Sequence, residues 1–444
     1  MALIPFRNLG SVGTVTDVDP LALAPAGWSS SLNMRFADGV ISRGPISKRI
    51  GTAQTGTPAH LHGTSVPSGG SEILLTHQDG RIVRWSAKGK DGGPGIETDL
   101  TPSDHNPAVM VDEPVTVTEL QQVIYHNRPD RPLWMMRKAG ERFAVAPGWN
   151  DEWRCKAVRS LNGQVIALGV QRNGRYYPAM VKWSDFSTFQ EPTLTWNAET
   201  TNSAGENVLG NLAEKLVDAA ELRGRLYLYA EHGVYAMTPL PTNLLYDFQP
   251  MIHDKGVISQ NCIAVVDNLH YVFGVEQLWC HDGQNALWTT DGTETRGIFD
   301  HLVREASHRF FVFHNRDLNE IMFCHVSTHP DCTFKVGRGN VPNDLDPYPG
   351  CNRAAVFHLG SKTWSFYDLP YIIGAAMVTP TTGVRYEELM DQSYEDLMNT
   401  SYRDLLDNNP KTAVMVSPVR TLNAEPNPVI RANNDTYTLR RKQR

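Results

Sequence analysis

Short pairs of apolar strands joined by turn residues recur along this chain, and that recurrence restricts the fold more than any single motif. Ile73 to Thr76, the turn H-Q-D-G and Arg81 to Trp85 make one unit. Val165 to Val170 and Tyr176 to Trp183, split by R-N-G, make another, and Leu226 to Ala230 with Val234 to Met237, split by E-H-G, a third. His270 to Val275 followed by E-Q-L-W-C-H-D-G reads the same way. So do Phe310 to His314 with Asn319 to Val326, and Ala354 to His358 with Lys362 to Tyr367. Three second strands finish in Trp-Ser, at Trp85-Ser86, Trp183-Ser184 and Trp364-Ser365. Where the spacing is clearest the unit centres lie about forty to fifty residues apart, the usual length of one four-stranded propeller blade. A repeat that buries its faces only against its neighbours must close into a ring or be capped. The competing reading is a β-sandwich with fortuitous repetition, but the hairpins outnumber what one sandwich needs. The sequence therefore predicts an all-β chain, a β-propeller with six blades and extended N- and C-terminal arms.

Composition agrees with many short strands. The 35 Gly and 28 Pro of the 444 residues are spread along the chain rather than gathered in a linker, as tight turns require. Helical periodicity is sparse. Asn207 to Ala220 carries a plausible amphipathic face, although K-L-V-D-A-A-E-L reads equally as part of a sheet, and Ile298 to Ala306 reads as a short helix. The boundaries expected are an arm and hairpin over 1–54, blades over 55–380, a short repeat over 381–410, and a strand with a basic tail over 411–444.

The arm has Pro20 and Pro25 interrupting any helix. Leu32, Met34 and Phe36 then alternate with Asn33 and Arg35 before Asp38-Gly39, a hairpin signal ending near Ile41. At the other end, Y-E-E-L-M-D-Q-S, Y-E-D-L-M-N-T-S and Y-R-D-L-L-D-N-N start at Tyr386, Tyr394 and Tyr402, a period of eight. An α-helix would rotate equivalent positions by about 80° over eight residues, so the tyrosines would not form one stripe. Successive turns are the more economical reading, with a short helix as the alternative.

The net charge of -7 argues against a surface that grips nucleic acid nonspecifically, because such grip needs Lys and Arg on phosphates. The first residues, MALIPFRNLG, lack the basic start and apolar stretch of a signal peptide, and no run reaches the length of a spanning helix. The expectation is a protein made in a cytoplasm that stays soluble. Six Cys in a chain of this length do not make a disulfide framework and read as buried thiols.

Chemical motifs are absent. There is no Walker loop, dinucleotide glycine fingerprint, G-x-S-x-G elbow or H-E-x-x-H, and no cofactor is expected. One constellation has metal-like residue types: Cys324, His325, His329 and Cys332, with Cys351 further on. Its spacing is poor for tetrahedral zinc, since Cys324 and His325 point to opposite faces of a strand. Buried Cys and polar loop His are the plainer reading. The aspartates of D-V-D-P read as turn caps. A glycosidase needs only two carboxylates across a cleft, so a carbohydrate-binding or glycosidase-like propeller is the alternative function. A cell-surface-binding propeller, marked by exposed aromatic clusters, is a third.

The stretch from Gly13 to Pro45, G-x-x-x-D-x-x-P-L-A-L-x-P-x-x-W-S-x-x-L-N-x-R-F-x-D-G-V-x-x-R-x-P, resembles the opening of tail nozzle proteins of short-tailed bacteriophages. These include relatives of the packaged-DNA stabilisation protein and of tail tubular protein B. The likeness continues in A-M-V-K-W-S-D-F from Ala179, in E-L-R-G-R-L-Y-L-Y-A-E-H-G-V-Y-A-M from Glu221, and in C-N-R-A-A-V-F-H-L-G-S-K-T-W-S from Cys351. The period-eight segment looks like the T-W-D-D-L repeats of such proteins with Tyr replacing Trp.

The resemblance implies a non-enzymatic virion subunit, assembled in the host cytoplasm as a homo-oligomer, commonly a hexamer. It would sit below the portal and the tail adaptor, continue the DNA channel, hold back packaged double-stranded DNA and meet a needle, fibre or plug protein. Trp28, Leu32 and Phe36 are the expected assembly anchors of the arm. Glu387, Glu388, Glu395, Asp396 and Asp404 are expected to be lumen or surface charges.

Overall fold

The computed structural model describes residues 8–44, 51–52, 56–65, 71–86, 96–103, 113–138, 142–187, 195–210, 212, 214–241, 245–289, 295–341, 346–378, 412–418, 429–430 and 438–440. Its regular structure is nearly all strand, arranged as a β-propeller. Five sheets are regular blades of four consecutive antiparallel strands. They begin at Pro58–Ser65, Thr116–Leu120, Arg154–Leu161, Asp218–Leu222 and Ile263–Val266, and each of these first strands lies toward the propeller axis.

Turn chemistry explains why these blades form. Four of the first hairpins close in two residues: Gln121-Gln122, Asn162-Gly163, Arg223-Gly224 and Asp267-Asn268. In the last three both turn residues take positive φ, with Asn162 at 46° and Gly163 at 85°, the twist that suits flanking strands. Asp38 at 52° and Gly39 at 77° do the same between Met34–Ala37 and Val40–Arg43, so the hairpin read from the D-G pair is present and runs to Arg43.

The expectation of six blades is corrected. Beyond the five regular blades, the rest of the ring is filled by two composite sheets. One has six strands, with Phe311–Asn315, Glu320–His325, Cys351–His358 and Thr363–Ile372 extended by Gly13–Thr14 and Gly27–Trp28. The other joins Gly374–Val378, Thr412–Val416, Val429–Ile430 and Gly51–Thr52. Two features misled the count. Residues 326–350 separate two hairpins of one sheet, which therefore read as two units. The blade starting at Thr116–Leu120 escaped notice because its turn is Gln-Gln and its strand alternates Thr and Val. The amphipathic reading of 207–220 is also replaced, by strands Gly205–Val208 and Asp218–Leu222. Near Ile298 a short helix does form, Thr295–Phe299, followed by the 3₁₀ turn Arg304–Arg309.

Each blade is covered on both faces by its neighbours. Trp85, Tyr125, Tyr229, Phe273, Trp279, Phe323 and Phe366 are all at most 2% exposed. Closure of the ring depends on the last sheet meeting the first, where Leu61, Ile73, Leu75 and Trp85 share one apolar cluster with Ile373, Ala376, Val378, Val414 and Val416. Gly63 sits at this seam because a Cβ there would lie 2.8 Å from both Ala376 Cβ and Val378 Cγ1. The composite closing sheet also pairs Val378 with Thr412, so residues 379–411 leave and return through one hairpin site. The period-eight repeat falls in that span and lies outside the described residues. No helix among the described residues is long and apolar enough to cross a membrane.

Gly63→Val should overpack the closing seam and lower stability by about 1–3 kcal/mol. The check is a urea titration in which the midpoint falls while the slope is unchanged.

Candidate functional site

Two places gather polar side chains from distant segments: the propeller axis and the docked arm. On the axis, first strands and the residues just ahead of them bring polar groups to a common point. Arg159, in the third blade, donates through Nε to Ala219 O at 3.1 Å and through Nη2 to Asp218 Oδ2 at 2.8 Å and Asn261 Oδ1 at 3.2 Å. Asn261, ahead of the fifth blade, donates its backbone N–H to the same Asp218 oxygen at 2.8 Å and its amide N–H to Val115 O at 2.9 Å. Asp218 is 1% exposed, so its charge depends on these donors. Val115, Arg159, Asp218 and Asn261 thereby link four successive blades.

This hub forms a waist. On one side lies a cavity of about 210 Å³ lined by His60, His62, Glu113, His308 and Arg309, and on the other a wider bowl of about 600 Å³ lined by Thr118, Ser160, Glu221, Val265 and Asn268. Both share Val117, Asn261 and Val312. Carboxylates near the axis face cations: Asp218 faces Arg159, Glu113 pairs with Lys156, and Glu119 pairs with Lys138 at 2.5 Å and His62 at 2.9 Å. Burial alone would raise the Glu119 carboxyl, but the hydrogen bonds from His62 and Lys138 outweigh it and hold the group down to about 2. Held there, Glu119 does not supply the protonated acid that glycoside cleavage needs.

The arm is laid across the edge and face of the six-stranded sheet. Gly13–Thr14 runs parallel to Gly27–Trp28 and meets Trp364. Asp17 Oδ1 accepts the Arg296 N–H at 2.7 Å and Thr16 Oγ1 accepts the Gly297 N–H at 3.0 Å, which caps the short helix. Asp19 accepts from the Leu21 N–H at 2.8 Å, a local turn. Asn33, at φ 55°, donates its N–H to Phe366 O and accepts the Asp368 N–H through Oδ1. Arg35 Nε donates to Glu320 at 2.7 Å, and Arg35 Nη2 to Leu318 O at 2.9 Å. The Phe36 carbonyl accepts from Ser361 and Thr363 hydroxyls at 3.1 and 2.6 Å. Ser30–Leu32 also pairs with Thr438–Arg440.

The three expected anchors differ in placement. Leu32 at 2% and Phe36 at 1% exposure are covered by the chain itself, whereas Trp28 is half-buried and donates its indole N–H to Leu9 O at 2.9 Å. Glu387, Glu388, Glu395, Asp396 and Asp404 lie outside the described residues.

The sulfur and imidazole constellation is dispersed. Cys324 and His325 are both buried on one strand. His325 Nδ1 donates to Phe323 O, His329 Nδ1 accepts the Asp331 N–H, Cys332 lies 3.9 Å from Arg353 Nη1, and Cys351 donates to Arg309 O at 3.1 Å. Burial pushes the Cys324 and Cys351 thiols up, which disfavours thiolate. Among the described residues no three His, Cys, Asp or Glu side chains converge on a point.

The hub was not anticipated, since Arg159, Asp218 and Asn261 share no local motif. They share no strand position either: Arg159 is late in Arg154–Leu161, Asp218 opens Asp218–Leu222, and Asn261 precedes Ile263–Val266. Arg159→Met should strand a buried carboxylate and cost about 3–5 kcal/mol. Adding Asp218→Asn should restore part of that loss, and calorimetry on the single and double variants measures it.

No family model and no curated protein matches the chain. Among solved structures, the chain is similar to one titled "Structure of U3-55K", with 10% identity, a TM-score of 0.47 and coverage of 87% of this chain and 98% of that one. It is also similar to the computationally designed Ika8 protein, with 8% identity, a TM-score of 0.41 and coverage of 74% and 95%.

Proposed function

We propose that this chain is a non-enzymatic structural subunit of a short-tailed bacteriophage tail nozzle. In this reading copies form a ring, most simply a hexamer, that continues the ejection channel below the portal and adaptor and helps retain packaged DNA. A needle, fibre or plug protein closes the far end. Duplex DNA would pass through the lumen of the ring of subunits, since the propeller axis of each subunit is closed by the Arg159 hub. An acidic chain suits that passage, because a lumen that does not attract phosphate lets the duplex slide.

The observation that carries the reading is the arm. Several marked residues of the Gly13 to Pro45 stretch hold it in place, Gly13 at Trp364, Asp17 at the short helix, Asn33 at Phe366 and Asp368, Arg35 at Glu320 and Asp38-Gly39 in the hairpin, while Leu21 and Val40 stay exposed. The residues behind the resemblance thus act as one unit, a strap on a propeller sheet. Trp28 keeps part of its surface outside, where a neighbouring copy would reach it.

Electron microscopy of the purified chain mixed with its neighbouring virion proteins tests the proposal. Six-fold rings with an axial channel wide enough for duplex DNA are expected, and a persistent monomer that binds glycans would overturn it. In the same preparations Trp28→Ala should reduce rings in sedimentation while leaving the thermal midpoint of the monomer nearly unchanged. Leu32→Ala, by contrast, should destabilise the monomer itself by about 2–4 kcal/mol. Equal losses of assembly and folding in Trp28→Ala would sink the anchor assignment.

A further inference from the structure

The fifth blade, Ile263–Thr289, is bounded on both sides by buried imidazoles. On the side of the fourth blade the bonding leaves no choice of tautomer. His270 Nε2 faces Glu221 O at 3.0 Å and must donate to it, so Nδ1 is a lone pair that accepts the Tyr229 hydroxyl at 2.7 Å. His281 Nδ1 accepts the Gly283 N–H at 3.0 Å, so its Nε2 carries the proton and donates to Tyr229 Oη at 2.6 Å. One proton-ordered chain therefore runs through His281, Tyr229 and His270, all 0% exposed. On the side of the sixth sheet, His325 packs edge-on against Phe273 with ring centroids 5.9 Å apart. Its Nδ1 donates to Phe323 O, and its buried Nε2 has no hydrogen-bond partner, so a proton there would be an uncompensated charge.

The geometry points to the fifth blade as an acid-released unit: protonation of His270, His281 and His325 breaks both of its seams and frees it from the ring before the remaining blades separate. A third imidazole seam exists, where His126 Nε2 meets Thr76 Oγ1 at 2.8 Å between the second and first blades. The second blade is held on its other side, however, by amide and hydroxyl bonds, Asn127 to Cys155 O and the Val158 N–H to Thr116 Oγ1. Only the fifth blade has histidine at both flanks among the described seams.

The charged and titratable surroundings do not cancel the effect. His270 and His281, neighbours on paired strands of the fifth blade, face Tyr227 and Tyr229 across the seam, and Asp282, on the exposed turn after His281, is the nearby carboxylate that favours the charged form. Asp218, near Tyr229, is committed to Arg159. His325 faces Arg353 and His329, which oppose its protonation. Burial holds His270 down to about 4, and His281 and His325 to about 3. The released blade returns each toward about 6.5, so it binds more protons, and release is favoured as pH falls below that value and is unaffected above it. Each histidine adds about a tenfold change in the opening equilibrium per pH unit within this window, and three add about a thousandfold.

The chain carries its own reporters. Cys262 and Cys280, at the fifth blade, are 0% exposed, and Cys155 in the third blade is 2% exposed. Labelling of the full chain with a pyridyl disulfide, which stays reactive in acid, is followed residue by residue between pH 7.5 and 5. The ratio of Cys280 to Cys155 labelling should rise at least tenfold. A flat ratio, or all thiols becoming reactive together, would overturn the proposal. His325→Phe removes one proton site while filling its space, and should flatten the slope by about one tenfold step per pH unit. An unchanged slope removes His325 from the mechanism. Hydrogen exchange of the unmodified chain gives the same answer without a variant: Leu269–Phe273 should lose protection in acid before Gln164–Arg172 does, and simultaneous loss overturns release.

Discussion

A blade of four strands has two apolar faces and no way to cover either alone, so every blade here buries its faces between two others. That constraint governs the whole molecule. It explains why the largest buried side chains, Trp279 and Phe323 among them, sit between sheets. It explains why polar links such as Arg159 to Asp218 run from blade to blade. It also makes the meeting of first and last sheets decisive, because a ring left open exposes two apolar faces at once.

Closure is achieved by segments remote in sequence. Gly51–Thr52 from the N-terminal side and Val429–Ile430 from the C-terminal side join one sheet, and Gly374–Val378 packs on the first blade. The arm then secures the adjoining sheet through Asn33, Arg35 and Phe36. Glu320 shows the dependence most plainly: it is 1% exposed, burial pushes its carboxyl up, and the bonds from Arg35 and Tyr367 act in the opposite sense. Arm and propeller are therefore one folding unit rather than a core with an appendage.

Local physics was legible in the sequence and long-range physics was not. Asn162-Gly163 and Asp38-Gly39 announced their hairpins because turn geometry is decided by two residues. Trp85 and Trp183 marked strand ends correctly, whereas Trp364 stands near the start of Thr363–Ile372; Asp19 makes the local turn expected of D-V-D-P, and Asp17 instead caps a distant helix. The blade count failed where a long insertion split a sheet and where Gln121-Gln122 closed a hairpin without turn-specific chemistry. The closing sheet was invisible because its four strands come from three distant regions. The axial hub and the His270–Tyr229–His281 chain failed to show for the same reason: their members lie tens of residues apart, and only ring formation brings them together.

The pairing of Val378 with Thr412 fixes the two ends of residues 379–411 one strand spacing apart, about 5 Å, on a sheet that is already held in the ring. That ladder sets the two ends, so the register of the closing sheet does not depend on how many residues lie between them. Length and register are thereby separate properties of the ring at the Val378 and Thr412 pair.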